Sequence, residues 1–307
     1  MSKISVIIPT YNRAQFIRRA IKSVLLQSFG DYELIVIDDA SSDQTQQILE
    51  HMNDKRIKII RHEKNKGAPA ARNTGIMASK GEYIGFLDDD DEWLPDKLKE
   101  QLKLFETSGN EAGLIYSGFY YVSGRNNRIL SNITPIKKGN LYPDLLRRNI
   151  LGSPTPLVKR NCFDKAGLFD EKLPSCQDWD MWIRISKYYK FDFVPDALSK
   201  VYVHGKQISL DLNAKIEARE KLIEKYRNDL TEDPTVLSYH LKRLGVLHCI
   251  SGNSKKGLKY FISSLKLLPF QRDCYMHILF SIFAFKRYRQ FLRVNYTTTL
   301  DGVIFYY

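Results

Sequence analysis

Four consecutive carboxylates, Asp88 to Asp91, stand in the run FLDDDDEW. Like charges this close repel one another, and a divalent cation relieves the repulsion. Mg²⁺ and Mn²⁺ favour carboxylate, water and phosphate oxygens, and Mg²⁺ typically takes only one or two protein carboxylates and lets substrate phosphates complete its shell. The same residues also suit a solvated acidic turn, or the cap of a helix starting at Pro95. A second acidic pair, Asp38-Asp39, follows an apolar run. A carboxylate there can accept from a nucleoside N–H or from ribose hydroxyls, or it can cap the next helix, a duty open also to Ser41, Ser42 and Asp43. The segment CQDWDMWIR sets Asp178 and Asp180 among Trp179, Met181, Trp182 and Ile183. Carboxylates beside bulky aromatics lose solvent, which raises their pKa and suits base chemistry. A Trp face can also stack on a sugar ring. The plainer reading is an amphipathic helix start capped by its Asp residues. Arg72 and Asn73 lie behind Gly67-Ala68-Pro69. Arg72 there can reach diphosphate oxygens, or can be an ordinary surface arginine. His204 follows a strand-like run and becomes a ligand only if a metal is near.

These groups need elements to hold them. Ile4 to Ile8 is an apolar, β-branched run suited to a strand covered on both faces. From Ala14 to Leu26, apolar residues fall at Phe16, Ile17, Ala20, Ile21, Val24 and Leu25, a helical stripe. Leu34 to Ile37, Ile57 to Ile60 and Tyr83 to Leu87 read as strands, and Asp43 to Met52 and Ala68 to Ser79 as helices. That alternation predicts a parallel sheet with crossover helices, whose ligands gather at the carboxyl ends of the strands. Thr10-Tyr11-Asn12, Asp38-Asp39 and Asp88 to Asp91 each follow such a strand. Past about residue 110 the pattern loosens. Leu114 to Val122 reads as a strand, Gly124 to Asn140 as turns and loop, and Phe163 to Phe169 and Trp179 to Tyr189 as helical. Phe191 to Val203 reads as a closing strand pair. From Asn213 helix dominates, broken at Glu232 to Pro234, with a helix-turn-helix pair across Leu244 to Leu268.

The chain has 307 residues, 43% apolar and 27% charged, a balance that supports a substantial core. Its net charge of +12 is unevenly placed, since eleven Lys or Arg stand against two Asp from His240 onward. Such asymmetry points to a polyanionic partner surface. The stretch CYMHILFSIFAFKRYRQFLRVNY mixes a dense apolar run with Lys286, Arg287, Arg289 and Arg293. This suits an interfacial helix among anionic headgroups, or a core helix with a basic face. Four scattered cysteines without a CxxC pair fit buried thiols in a cytosolic compartment. Neither a secretion signal nor a run of 18 apolar residues is present, so no span is expected. The loop PTYNRA lacks glycine, which argues against the Gly-rich triphosphate loop of a nucleotidyltransferase. No GxGxxG supports a dinucleotide-binding oxidoreductase.

In one order the chain carries SVIIPTYNR, ELIVIDDASSDQT, NKGAPAARNTGI, GEYIGFLDDDDEWLPDKL, GLFDEKLPSCQDWDMWIR and VYVHGKQIS. Over about residues 3 to 210 this ordered set resembles family 2 of the glycosyltransferases, inverting enzymes of the type A fold, in its non-processive bacterial cell-surface polysaccharide form. The resemblance implies an α/β fold with a Rossmann-like nucleotide-binding sheet and a C-terminal helical appendage. It implies a catalytic domain at 1–210, with a nucleotide-sugar-binding half at 1–110 and an acceptor half at 111–210, and a helical, basic region at 211–307. Pro9, Thr10, Tyr11 and Asn12 would line the nucleotide pocket, Asp39 would contact the base, typically uracil, and Arg72 would lie near the diphosphate. Asp88 and Asp90 match the aspartate-any-aspartate motif, with Asp88 and Asp89 towards the ribose and Asp90 on Mn²⁺ or Mg²⁺. Asp178 matches the catalytic base, and His204 the late histidine that meets metal or diphosphate. The Gly152-Ser153-Pro154-Thr155 turn, with Trp179 and Asp180, belongs on the acceptor side.

Gln177 replaces the Glu that usually precedes the base, which puts any acceptor contact of that Glu in doubt. The absence of a Gln-x-x-Arg-Trp motif argues against a processive synthase. The expectation is therefore single transfer from a nucleotide sugar, with a lean to UDP, onto a saccharide or lipid-linked saccharide. The protein is expected in the cytoplasm, peripheral at the inner face of the cell membrane, with no nucleic-acid partner. The alternatives are a nucleotide-sugar-binding protein without transferase activity, or a nucleotidyltransferase.

Overall fold

Short β-branched runs and amphipathic stretches alternate over the first ninety or so residues, and a computed structural model shows them folded accordingly. It describes residues 2–204 and 211–296, with backbone alone from 294, and two short strands at 299–300 and 303–304. Gly205 to Ser209, the end of the VYVHGKQIS segment, lie outside the described residues. The chain forms two compact units. The first comprises residues 1–142, 150–171 and 177–204, the second residues 143–149, 172–176 and 205–307. The segments 143–149 and 172–176 thus join the second unit, although sequence places them within the catalytic range.

In the first unit, β1 (Ile4–Thr10), α1 (Ile17–Leu25), β2 (Tyr32–Asp38), α2 (Thr45–Glu50), β3 (Ile57–Arg61), α3 (Ala68–Ala78) and β4 (Tyr83–Phe86) follow in turn. The four strands are parallel in the order β3-β2-β1-β4. Every residue of β1 is buried, as a strand covered on both faces requires. The stripe Ile17, Ala20, Ile21 and Val24 of α1 is fully buried in the core with Ile4, Val6 and Ile8. α3 approaches β1 closely because Gly75 has no side chain: a Cβ there would lie 2.5 Å from Ile7 Cγ2.

The unit continues with β5 (Glu92–Trp93), α4 (Lys97–Thr107), β6 (Ala112–Ser123) and β7 (Ile129–Ile133); α5 (Tyr142–Arg147) follows in the chain and belongs, from Pro143 on, to the second unit; β8 (Leu157–Lys159), α6 (Cys162–Ala166), α7 (Gln177–Ser186) and β9 (Lys190–Val203) complete the first. β8 pairs antiparallel with both β4 and β6, and β6 runs parallel to β9, so the sheet becomes mixed. Two expectations from sequence are corrected here. β7 lies in the stretch read as loop and pairs antiparallel with β6, from Phe119–Ile133 to Val122–Ile129. Its polar Ser131 and Asn132 hid it, since no continuous apolar pattern marks a half-exposed edge strand. The expected closing strand pair is one strand, β9. Pairing steps from Ser117–Val194 to Gly118–Ala197, passing over Pro195 and Asp196. Pro195 has no N–H for the ladder, so the chain bulges and continues instead of turning back.

The second unit is helical. It holds α8 (Leu212–Lys225), α9 (Arg227–Glu232), α10 (Pro234–Ser251), α11 (Ser254–Leu267), α12 (Arg272–Phe283) and α13 (Phe285–Tyr296). The break expected at Glu232 to Pro234 is a helix junction. Asp233 accepts from Thr235 N and Val236 N, and Pro234 sits where no N–H is needed. Gly252, at φ 102°, ends α10 in the left-handed conformation. α10 and α11 cross closely at two glycines. A Cβ on Gly245 would lie 2.5 Å from the Phe261 ring, and one on Gly257 2.5 Å from Cys249 Sγ. Val246, Ile250, Cys274, Tyr288 and Leu292 complete this core. No helix among the described residues is long and apolar enough to cross a membrane.

Candidate active site

The loops after β1 and β2 are tied together. Asn12 sits at φ 53°, a conformation Asn tolerates. Its Oδ1 accepts from Ser42 N at 2.8 Å and Asp43 N at 3.3 Å, and its own N–H donates to Ser41 Oγ at 3.0 Å. Pro9 and Thr10 are buried in β1, whereas Tyr11 stands open, 44% exposed. Asp38 turns the chain by accepting from Ser41 N at 2.9 Å. Asp39 is buried and accepts from His62 Nδ1 at 2.7 Å and Lys66 N at 2.9 Å on Oδ1, and from Gly67 N at 2.7 Å on Oδ2. It therefore anchors the loop leading into α3, not the helix next in sequence.

After β4 the four acids meet four different partners. Asp88 accepts from Arg72 Nη2 at 2.6 Å. Nη1 of the same guanidinium is buried with no partner, a donor waiting for an acceptor. Burial and the neighbouring Asp90 carboxylate push the Asp89 carboxyl up to about 8, although Arg13 lies 3.7 Å away. Asp90 Oδ2 is 2.9 Å from His204 Nε2, and the Asp90 carbonyl accepts from Arg19. The His204 ring stacks on Phe16 at 4.7 Å. Asp91 accepts from Tyr202 N at 3.0 Å, and burial holds its carboxyl well above the usual range.

Among the described residues no group of three or more His, Cys, Asp or Glu converges as a metal site. Asp90 with His204 is a two-group donor set, and Arg72 presents its unsatisfied Nη1 beside Asp88. Such a set fits a hard divalent cation that takes few protein ligands and fills its shell with phosphate oxygens. It does not fit an ion fully caged by side chains.

Asp178 lies half-buried in the first turn of α7. One turn on, Trp182 packs against Phe86 and Phe169, each at 6.4 Å between ring centres, and Phe86 meets Phe169 edge-on at 5.3 Å. Phe86 stands two residues before Asp88, so a single aromatic cluster carries both the acidic stretch and the helix of Asp178. Asn73 secures the cluster by binding the backbone of Phe169 through both its N–H and its carbonyl. The other two residues expected on the acceptor side face inward. Trp179 is 2% exposed and Asp180 is fully buried, its Oδ2 accepting from Arg184 Nε at 2.9 Å. Burial and that ion pair make them parts of the inner face of α7. The Gly152–Thr155 turn is partly open at Gly152 and Ser153 and is pinned from three sides. Trp93 Nε1 donates to Pro154 O at 2.8 Å, Ser199 Oγ to Pro154 O at 3.2 Å, and Gln101 Nε2 to Thr155 O at 2.8 Å.

Arg13, Arg19, His62 and Gln101 were not singled out from the sequence. Arg13 and Arg19 flank the start of α1 six residues apart, and an unbalanced run of five acids, Asp88 to Glu92, is a reason to look for such cations. For His62 and Gln101 only the folded chain supplies the signal.

Residues 5–167 match Glycosyl transferase family 2, and the chain belongs to that family. A protein of Rickettsia conorii (strain ATCC VR-613 / Malish 7), described as an uncharacterized glycosyltransferase, is 36% identical over 239 residues, 76% of this chain and 39% of that one. WcaA of Escherichia coli (strain K12), described as a putative colanic acid biosynthesis glycosyl transferase, is 37% identical over 190 residues, 61% of this chain and 67% of that one. The chain spans 34% to 39% of the length of three rickettsial relatives. S. aureus TarS 1-349, in complex with UDP-GlcNAc, shares the fold with a TM-score of 0.67 at 20% identity, over 94% of this chain and 89% of that one. The mannosyltransferase PcManGT from Pyrobaculum calidifontis, in complex with GDP-Man and Mn²⁺, does so with a TM-score of 0.61 at 15% identity, over 95% and 84%. The α/β fold expected from sequence, with its helical C-terminal region, is the fold found.

Proposed function

We propose that this protein is a glycosyltransferase that moves one sugar from a nucleotide-sugar donor, a UDP-sugar by preference, to an acceptor hydroxyl in the synthesis of a cell-surface polysaccharide or glycolipid. The observation that carries this reading is the meeting, at the ends of parallel strands, of the unsatisfied Arg72 guanidinium with Asp88 and of Asp90 with His204. WcaA, by its description, and TarS, by its bound UDP-GlcNAc, support the substrate class.

Arg72 neutralises diphosphate charge, and its Nη1 gains the acceptor it lacks. Tyr11 and Asp39 meet the base, and Asp89 lies towards the ribose. Asp90 and His204 hold Mn²⁺ or Mg²⁺, in keeping with the Mn²⁺ bound by PcManGT. When bound, the ion supplies Lewis-acid stabilisation of the leaving diphosphate. Asp178 takes the proton from the acceptor hydroxyl as that oxygen attacks the anomeric carbon. The bond to the diphosphate breaks on the opposite face, the leaving group keeps the electron pair, and the anomeric configuration inverts. The Gly152–Thr155 turn shapes the acceptor side.

The helical unit supports a seat on an anionic bilayer, peripheral to the inner face of the cell membrane. Tyr275, Met276, Leu279, Phe280, Ile282 and Phe283 are exposed on α12. At about 100° per residue they share less than half the circumference, with exposed Arg272 on the same face and Lys286 and Arg287 beyond its end.

A panel of UDP-, GDP- and dTDP-sugars, assayed for nucleoside diphosphate release with Mn²⁺, Mg²⁺ or a chelator, tests the chemistry. Release of UDP that needs the metal supports it, whereas pyrophosphate release when a nucleoside triphosphate and a sugar 1-phosphate are supplied in place of the panel would indicate a nucleotidyltransferase instead. Flotation with vesicles containing anionic or only zwitterionic lipid, comparing the native chain with Leu279→Asp/Phe283→Asp, tests the membrane seat. Equal flotation of both proteins would count against it.

A further inference from the structure

His62 extends the pairing of β3, its N–H donating to Asp38 O at 2.9 Å. Its side chain is 5% exposed and lies between two polar groups. Nδ1 is 2.7 Å from Asp39 Oδ1, and Nε2 is 2.9 Å from Thr74 Oγ1. A carboxylate only accepts, so Nδ1 carries a proton. In the neutral ring Nε2 then accepts from the Thr74 hydroxyl. Asp39 also accepts from Lys66 N and Gly67 N. Two carboxylate oxygens offer about four lone-pair sites. Two donors fill Oδ1, and Oδ2 accepts from Gly67 N, which leaves one acceptor site on Oδ2.

Resting on the reading of Asp39 as the group that meets the donor's base, we propose that His62 and Thr74 are positioning residues for base selection. Asp39 fixes the tautomer of His62, Thr74 holds the far edge of the ring through Nε2, and the ring so held fixes the rotation of the Asp39 carboxylate, so that the remaining site on Oδ2 faces the base. An acceptor held in this way favours a base with a ring N–H at that position, such as N3–H of uracil. It disfavours cytosine, whose N3 carries a lone pair and no proton. Removing His62 lets the carboxylate rotate between the Lys66 and Gly67 N–H groups and blurs that choice.

The test uses the full chain and calorimetric titration with UDP and CDP in Mn²⁺. The native protein is expected to bind UDP at least about tenfold more tightly than CDP. In His62→Leu, UDP binding weakens about tenfold while CDP binding changes less than about threefold, so discrimination collapses. His62→Asn keeps an N–H donor for Asp39 and stays within about threefold of native binding. Thr74→Val keeps the shape, takes the partner from Nε2 so that the ring loses its second anchor, and weakens UDP selectively. A folded His62→Leu with the native ratio of UDP to CDP affinity overturns the proposal, as does an Nε2-protonated His62 in the native protein. Should His62→Leu not fold, an unchanged ratio of UDP to CDP affinity in Thr74→Val overturns it. Asp39→Asn separates the two levels. If it binds UDP as the native chain does, the reading of Asp39 itself fails. If it loses UDP while the His62 and Thr74 variants do not, only the positioning role fails.

Discussion

Replacing Asn73 by leucine isolates the tie between α3 and the loop that leads to Asp178. Asn73 is 4% exposed, and its amide makes three hydrogen bonds. Nδ2 donates to Phe169 O at 3.0 Å and to Glu171 Oε1 at 2.8 Å, and Oδ1 accepts from Phe169 N at 2.8 Å. Leucine keeps the branching of asparagine and is the larger side chain, so no cavity opens and the loss is mainly polar. The N–H and carbonyl of Phe169 are left buried without partners, at about 1–3 kcal/mol each, while the Glu171 carboxylate regains water. Partial relaxation of the loop lowers the sum, and the expected cost is about 3 kcal/mol, a large fraction of a typical stability of about 5–15 kcal/mol. Asn73→Asp keeps the acceptor for Phe169 N but sets a carboxylate against Phe169 O and Glu171, so at neutral pH it should cost no less than leucine. Urea unfolding followed by tryptophan fluorescence reads this directly, because Trp93, Trp179 and Trp182 all lie in the first unit. A loss below about 1 kcal/mol with an unchanged m-value would refute the reasoning, since two orphaned buried groups cannot cost so little. A folded Asn73→Leu should also turn over more slowly, because Phe169 packs on Trp182 in the helix of Asp178.

Three further outcomes are expected. Asp178→Asn lowers turnover about 10²–10⁴-fold and leaves calorimetric UDP affinity within about threefold; native turnover in this variant would remove Asp178 from the base role. Gly257→Ala forces a Cβ to 2.5 Å from Cys249 Sγ and 2.9 Å from Gly245 O, and should cost the helical unit about 1–3 kcal/mol by hydrogen exchange; a neutral result would mean α10 and α11 can part freely. Burial pulls the His277 imidazole below its ordinary pKa, against the opposing pull of Asp273. The unfolded state then binds more protons than the folded state below about pH 6.5, so stability of this unit is present above that pH and lost as pH falls towards the folded pKa. His277→Gln should flatten this slope in helix melting at pH 7 and pH 5, and an unchanged slope would assign the acid sensitivity to another group.

Much of the first hundred residues is legible before folding because local pattern and tertiary role agree there. β1 and β2 are buried on both faces and read as apolar runs; α1 packs one face and reads as a stripe. The clusters at Asp39, Asp88 and Asp90 stand where a parallel sheet exposes its strand ends. The pattern misled where polar residues or proline sit inside paired strands. β7 carries Ser131 and Asn132, and β9 passes Pro195 through a bulge. In both cases β6 supplies the pairing, from next door in the chain for β7 and from far away for β9, and a polar or proline-containing stretch announces neither partner.

By itself, the order of residues determined the family, the alternation of strand and helix, and which carboxylates stand at strand ends, because these follow from periodicity and from short motifs. Only tertiary structure decided what each acid does. Asp88, Asp89, Asp90 and Asp91 are adjacent and chemically alike, yet Arg72, burial beside Arg13, His204 and the backbone of Tyr202 give each a different state. Likewise Asp178 and Asp180 share one turn of α7, and only the packing of that helix leaves the first half-open and seals the second against Arg184. Solvation and charge are set by neighbours in space, and those neighbours come from 4 to 114 positions away in sequence.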